Sequence, residues 1–305
     1  MSSNPRRAFV PALTLVFLAL TLALTLAWSM APAQEPAQGQ TPAAPRTLAE
    51  LAQRYDSSGC RECHQEVHDQ WQSSHHARPL MGLDDWIFLR PYLRGSGPLA
   101  LKDPAQATAA KNFPCAKCHL PQLMNAPDAV AVDLAKAVLA EDKASVGRLG
   151  IGCLVCHGDK AVVHGRPQPG VLYGSRDIPD HPGRPVKKSA FLKSALFCGQ
   201  CHGLGPVLEF ETPIQCATLY GSYLHAYLPS GGSQTCQDCH MPANSHYMPP
   251  NFNNREETAA RLRQALPLQV QAHAYRFQPQ DKDYRPLAVV KTRIVSQAGH
   301  RIPDG

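Results

Sequence analysis

The sequence has few aromatic residues: Phe, Tyr and Trp together make up 7% of its 305 residues. A chain of this length ordinarily fills its core with large apolar side chains. Their scarcity, together with 28 prolines, predicts little regular structure and long ordered loops. The sequence also lacks a Gly-rich phosphate-binding loop and shows no evident nucleophile or general acid. Nothing in it therefore points to nucleotide-dependent or nucleophilic catalysis.

The chain does contain one pattern five times, Cys-x-x-Cys-His. The five copies use ten of the eleven cysteines and leave only Cys216. Their spacing is irregular, so they do not form a strict tandem repeat. The pentads occupy residues 60–64, 115–119, 153–157, 198–202 and 236–240.

This pentad is the attachment pattern of c-type haem. Two intervening residues let both thiols add to the vinyl groups at one porphyrin edge, and the histidine that follows binds the iron from one face. The sequence therefore predicts five covalently bound c-type haems (haem c, with iron). The predicted thioether cysteines are Cys60, Cys63, Cys115, Cys118, Cys153, Cys156, Cys198, Cys201, Cys236 and Cys239. The predicted proximal iron ligands are His64, His119, His157, His202 and His240.

Two other interpretations of the cysteines fit the pattern less well. A zinc site needs four ligands in a tetrahedral arrangement, which two Cys-x-x-Cys units can supply. Zinc does not account, however, for a histidine directly after every second cysteine. A disulfide framework does not account for it either, so haem attachment is the preferred interpretation.

Nine further histidines are candidates for the second axial position of each iron. His76, which follows the first pentad closely, is the strongest candidate, and its neighbour His75 is the runner-up. His181, between Asp180 and Pro182, is a further alternative. The predicted distal ligands are His76, His164, His225, His246 and His300.

The N-terminus has the features of an export signal. Arg6 and Arg7 precede an apolar run, and a small-x-small cleavage pattern ends at Ala33, which predicts a signal peptide over residues 1–33. The run is long, so a retained membrane anchor is the alternative. Residues 34–46 are predicted to form a flexible linker. In either case the body of the chain is expected to be periplasmic or extracellular, where c-type haem attachment is completed.

Local patterns predict a mainly α chain with long haem-clamped loops and a short C-terminal β segment. A capping-box pattern begins at Thr47, and helices are expected over residues 127–146, 218–228 and 255–265. An ordered loop is expected over 165–188, and strands over 266–275 and 287–295. The predicted domains are a pentahaem cytochrome domain over 47–250 and an incomplete helix-plus-strand segment over 251–305.

The charge of the chain gives no reason to expect nucleic-acid binding. Without Arg6 and Arg7 the chain has 28 basic and 24 acidic residues, a net charge of +4. Each haem would add about two propionate charges and about one positive charge when ferric, so the holoprotein is expected to be near neutral or acidic. The expected partners are redox proteins, with self-association as a further option and membrane contact only through a retained N-terminus.

Three stretches resemble the cytochrome c-554 family and the wider group that includes hydroxylamine oxidoreductase and pentahaem nitrite reductase. They are the first pentad with Trp71 and His76 after it, the third pentad with its flanking glycines, and the fifth pentad with Met241 and Pro242 after it. The resemblance covers roughly residues 58–250. It implies a mainly helical multihaem fold with haems in stacked and perpendicular pairs, and it implies that His76 is an axial ligand to another haem.

The sequence departs from that wider group in two respects, and its last residues carry a further resemblance. Pentahaem nitrite reductases place a lysine after the cysteines of the catalytic haem, and no Cys-x-x-Cys-Lys occurs here. Five pentads are too few for hydroxylamine oxidoreductase. The ending at residues 299–305 resembles multihaem cytochromes that continue into an immunoglobulin-like domain, which implies that the β segment is the start of a truncated domain.

These features predict an exported pentahaem cytochrome that transfers electrons along closely spaced bis-histidine haems. It is expected to be an electron carrier rather than a catalyst. One alternative is a reductase or oxidase of a small nitrogen or sulfur compound, which requires one haem with an open face. The other is a polymerising extracellular wire, in which a histidine of one copy binds a haem of the next.

Overall fold

The computed structural model describes residues 43–82, 85–163, 165–203, 218–249, 254–277 and 285–302, together with residues 280 and 283. The predicted signal peptide, His164 and Cys216 lie outside these residues. Helices make up most of the regular structure of the described residues, which agrees with the mainly α prediction, and the rest of it is two small two-stranded sheets. Their α-helices are α1 Leu48–Arg54, α2 Ser58–Arg61, α3 Gln65–Gln72, α4 Arg90–Arg94, α5 Ala109–Asn112, α6 Ala116–His119, α7 Asp128–Leu139, α8 Lys143–Val146, α9 Ala195–Gly199, α10 Leu219–Ser222, α11 Cys236–His240 and α12 Arg255–Ala265.

Short 3₁₀ and π segments connect these helices, and several lie beside a pentad. The 3₁₀ segments are His75–Ala77, Pro104–Gln106, Pro121–Asn125, Ala190–Lys193 and Pro242–Asn244. The π segments are Val155–Asp159, which contains the end of the third pentad, and Tyr223–Tyr227, which continues α10. Such single-turn π segments occur frequently at functional sites.

The apolar core lies in the N-terminal half of the described chain. Helix α7 buries Val130, Leu134 and Val138, whose helical spacing places them on one face, and α1 packs Leu51 against the same cluster. Phe113 is fully buried there. The Thr47 side chain accepts a hydrogen bond from the Glu50 backbone N–H at 3.1 Å and so fixes the start of α1.

The helix predicted over residues 127–146 is divided into α7 and α8. Glu141 has a φ of 57°, a left-handed conformation that an α-helix cannot continue through. Asp142 then caps the new helix, because its carboxylate accepts a hydrogen bond from the Ser145 backbone N–H at 3.0 Å. Apolar spacing extends across the break, and this is why the pattern alone predicted one helix.

The C-terminal half has little apolar core of its own. After Leu149 the buried apolar side chains of the described chain are only Val155, Ala161, Tyr173, Ala195 and Pro249. Three of the five pentads lie in this part. A segment that stays ordered with so little buried apolar surface needs another source of stabilisation, such as a large bound group.

Two strands occur where only an ordered loop was expected. β1, Leu172–Gly174, pairs in parallel with β2, Val186–Lys188, and Leu172 is opposite Val186. The strands are only three residues long, which is too short for an alternating pattern to be recognised in the sequence.

The two predicted C-terminal strands are present, and the structure pairs them antiparallel. β3, Leu268–Phe277, pairs with β4, Arg285–Ile294, and Leu268 is opposite Ile294. Val270 and Val290 lie on the same face as this pair, and all four side chains are exposed. Among the described helices, none has both the length and the apolar character needed to cross a lipid bilayer.

Candidate metal centres

Each pentad is wound into a single helical turn. The backbone N–H of the histidine donates to the carbonyl oxygen of the first cysteine in three of them, from His64 to Cys60, from His119 to Cys115 and from His202 to Cys198, each at 2.9 Å. Positions i, i+3 and i+4 of a helix lie on one face. The turn therefore presents two thiols and one imidazole on the same side, as covalent attachment of a porphyrin beside its iron ligand requires.

None of the ten pentad cysteines forms a disulfide bond within the described residues, and thiols of different pentads lie close together. Cys60 interacts with Cys153, Cys118 with Cys201, and Cys198 with Cys236. These contacts place the first pentad beside the third, the second beside the fourth, and the fourth beside the fifth.

Burial keeps several of these thiols protonated. Burial raises the pKa of Cys156 to about 12, with a smaller contribution from Cys153. A hydrogen bond with Cys236 and burial both raise the pKa of Cys198 far above its ordinary value. Both thiols are therefore protonated at neutral pH.

Four pentad histidines face a second histidine from elsewhere in the chain. The ring centroids are 6.0 Å apart for His64 and His181, 6.2 Å for His157 and His246, and 6.0 Å for His240 and His300, with interplanar angles of 6°, 26° and 20°. His202 faces His76 at 6.1 Å with an interplanar angle of 80°. Each pair therefore brings together one pentad histidine and one histidine outside the pentads.

The spacing of these pairs fits a metal ion between two imidazoles. A metal–imidazole bond is about 2 Å long, so two ring nitrogens on opposite sides of one ion lie about 4 Å apart and the ring centres lie somewhat farther. Centroid distances of 6.0 to 6.2 Å match this requirement. The residues present therefore fit a six-coordinate haem iron at four of the five pentads.

Backbone carbonyl groups fix the orientation of the imidazoles. Nδ1 of His157 donates to the Tyr173 carbonyl oxygen at 2.8 Å, and Nδ1 of His240 donates to that of Pro249. A carbonyl oxygen can only accept, so each Nδ1 carries the proton and the other ring nitrogen keeps its lone pair for a metal. The facing histidines His181, His246 and His300 also direct Nδ1 to a backbone carbonyl oxygen, at 3.2, 2.8 and 2.8 Å.

Burial also favours the neutral imidazoles that metal binding requires. Burial lowers the pKa of His76 to about 4, and the neighbouring His202, His75 and His119 lower it further. Burial likewise lowers the pKa of His240 and of His246. These three rings are therefore uncharged at neutral pH, and a neutral imidazole is the ligand form.

The second pentad differs from the others. Its His119 donates from Nδ1 to the Pro79 carbonyl oxygen at 3.0 Å, so the ring is oriented like the others. The ring packs against Phe88, with centroids 4.9 Å apart and an interplanar angle of 52°. In the part of the chain that the structure describes, no histidine ring faces His119 at the spacing of the four pairs.

The structure thus brings three of the five predicted distal histidines opposite a pentad histidine, namely His76, His246 and His300. His164 lies outside the described residues. His225 is exposed on the Tyr223–Tyr227 turn and does not face a pentad histidine. The runner-up His75 is adjacent to the ring that does face one.

His181 faces His64, although it was only an alternative among the predicted ligands. The signal was the turn that follows it, Pro182 and Gly183, where Gly183 has a φ of 83°. Such a turn holds the preceding side chain in a fixed direction. Pro303 follows His300 in the sequence in a similar way, so the same signal is present at both histidines.

The segment with His300 is held against α10 and the turn that follows. The Arg301 backbone N–H donates to the Ser222 hydroxyl at 3.3 Å, and the Arg301 guanidinium donates to the Thr218 hydroxyl. Gly299 packs on the Tyr227 ring. These contacts connect the residues after β4 to the body that carries His240.

Comparisons of the chain with family models, curated proteins and solved structures found no match.

Proposed function

We propose that this chain is an exported pentahaem c-type cytochrome that transfers electrons. The observation that carries the proposal is the set of four imidazole pairs, each with one histidine from a Cys-x-x-Cys-His turn and centroids about 6 Å apart. Neither a zinc site nor a disulfide framework requires histidines paired in this way.

Each bound haem would supply an iron that gains and loses one electron. The chain's own residues would hold and orient it: the thiols would fix one porphyrin edge, and the pentad imidazole and the facing imidazole would bind the iron. Carbonyl oxygens such as those of Tyr173 and Pro249 set the direction of the rings. The thiol contacts between pentads would bring the attached haems close together, as short-range electron transfer requires.

The proposed location rests on the sequence. Residues 1–33 have the charged, apolar and small-residue regions of an export signal. Covalent haem attachment is completed outside the cytoplasmic membrane, so the pentads and the export signal support the same location.

Mass spectrometry of the purified protein tests the proposal directly. Wild-type protein is expected to carry five haems, each as a fixed mass increment, and to show a low-spin haem absorption spectrum. The double substitution Cys153→Ala with Cys156→Ala should lower the count to four, whereas Cys216→Ala should leave five. A colourless protein without haem mass increments would refute the proposal.

A second candidate function is located at His119, which no histidine ring of the described residues faces at the spacing of the four pairs. An iron bound by His119 without a second imidazole would have an open position, as reduction or oxidation of a small nitrogen or sulfur compound requires. Electron paramagnetic resonance separates the two functions. A high-spin ferric signal that changes on addition of nitrite or hydroxylamine would favour the enzyme, and only low-spin signals would favour the carrier.

A further inference from the structure

Residues 165–193 concentrate the positive charge of the chain. They contain six lysines and arginines and two aspartates, so this stretch contributes +4 to a formal net charge of +6. All six cationic side chains are exposed, and none of them forms an ion pair within the described residues. They are Arg166, Arg176, Arg184, Lys187, Lys188 and Lys193.

The two lysines of β2 are held in place by the fold. The Lys188 backbone N–H donates to the Asp177 carboxylate at 2.8 Å, and the Lys187 ammonium donates to the Gln168 side-chain oxygen at 2.5 Å. The Ser189 hydroxyl donates to the Ala161 carbonyl oxygen at 2.7 Å. This part of the segment is therefore an ordered surface with fixed charges.

The same segment covers two of the candidate metal centres. It supplies His181, whose ring faces His64 at 6.0 Å, and it supplies the Tyr173 carbonyl oxygen that orients His157. Burial and the Cys153 thiol raise the pKa of Cys60 to about 11, and the Arg184 guanidinium opposes that rise. Arg184 is therefore within electrostatic reach of the first pentad.

We propose that residues 165–193 form the docking surface for an acidic redox protein that delivers electrons to the His64–His181 centre. The inference rests on the proposed function, because it needs an iron at that centre. One electron would pass from the reduced iron–sulfur or flavin group of the partner to the ferric iron that His64 and His181 would hold, with no proton or atom transferred. Fixed exposed cations beside the accepting centre attract and orient a partner of opposite charge.

The cations have one competing role, which is to neutralise haem propionates. In that role their loss would change the midpoint potential of the nearest haem. In a docking role their loss would change the rate of association and its dependence on salt, because exposed charges are screened over about 10 Å at 0.1 M ionic strength. A changed midpoint potential would therefore indicate propionate neutralisation, whereas a changed association rate and salt dependence would indicate docking.

The test uses the holoprotein and a small acidic [2Fe–2S] ferredoxin as the probe. Lys187→Glu with Lys188→Glu is compared with Lys102→Glu plus Lys143→Glu, which makes the same change in net charge on exposed residues of other elements. The wild-type rate constant for reduction should fall about tenfold or more from low to high salt. The first variant should be about tenfold slower at low salt and nearly independent of salt, while the second should stay near wild type.

Binding of the ferredoxin is measured separately, by calorimetry at low salt, and reduced riboflavin serves as a small electron donor without an acidic protein surface. Equal effects of the two variants, or a changed midpoint potential with unchanged ferredoxin binding, would overturn the proposed docking surface. A protein that takes no electrons from riboflavin would refute the proposed function. The binding comparison between the two variants would still decide whether this surface is where an acidic protein docks.

Discussion

The His76 ring lies edge-on to the His202 ring, with centroids 6.1 Å apart. His76 belongs to the segment after the first pentad, whereas His202 ends the fourth pentad. The contact therefore joins the beginning and the middle of the chain through two imidazoles. Burial makes His76 the neutral partner that an iron between the rings needs.

Replacement of His76 by alanine should remove one axial ligand from one iron and from no other. Electron paramagnetic resonance of the oxidised protein should show one low-spin centre fewer and a new high-spin signal. His75→Ala is the matched control, because His75 is the adjacent histidine and should leave the low-spin count unchanged. If His75→Ala had the larger effect, the assignment of His76 would be wrong.

The centre with His76 should keep its ligand in mildly acidic solution. A histidine whose pKa is lowered to about 4 stays neutral above that pH, and iron binding opposes protonation further. Its low-spin signal should therefore be constant from pH 7 to about pH 5 and decline only below about pH 4. Conversion to high spin near pH 6.5, the ordinary pKa of histidine, would contradict this explanation.

Arg301 is expected to position His300. Arg301→Ala removes the guanidinium contact with Thr218, which contributes about 1 kcal/mol in a typical case. The His240–His300 centre should then show a shifted midpoint potential and a partly high-spin signal. Arg293→Ala, on the exposed part of β4, is the control and should change neither property. If the two variants had the same midpoint potential and the same spin state, Arg301 would not position His300.

The apolar cluster around α7 should account for much of the stability of the N-terminal half. Leu134 is fully buried there, and Leu134→Ala should lower the free energy of unfolding by about 2–5 kcal/mol. Lys136→Ala, on the exposed side of the same helix, should change it by less than about 0.5 kcal/mol. Urea denaturation followed by circular dichroism measures both.

The elements that the sequence predicted correctly are those determined by residues close together in the chain. Helix α12 spans the residues expected for it, and the Thr47 cap begins α1 as its pattern indicated. The strands β3 and β4 begin and end within two residues of their predicted bounds. The break at Glu141 was not predicted, because a left-handed residue inside an apolar repeat leaves the repeat unchanged.

The facing histidines were harder to predict than the pentads, for a physical reason. A pentad is a single helical turn, so its three functional groups are defined by adjacent residues. A facing histidine comes from a distant segment, and its position depends on the packing of the whole chain. His181 and His225 show the difference. His181 precedes a proline–glycine turn and His225 lies between two tyrosines, yet only His181 faces a pentad histidine.

The pairing of His157 with His246 has a consequence for how the protein matures. If the chain is exported and carries haem as proposed, the His157–His246 centre would acquire its second imidazole only after residues beyond the fifth pentad have been translocated, because His246 follows that pentad. Until then, an iron at His157 would take water or another temporary ligand. The order in which the thiols meet their cofactors would therefore differ from the order in which the centres are finished.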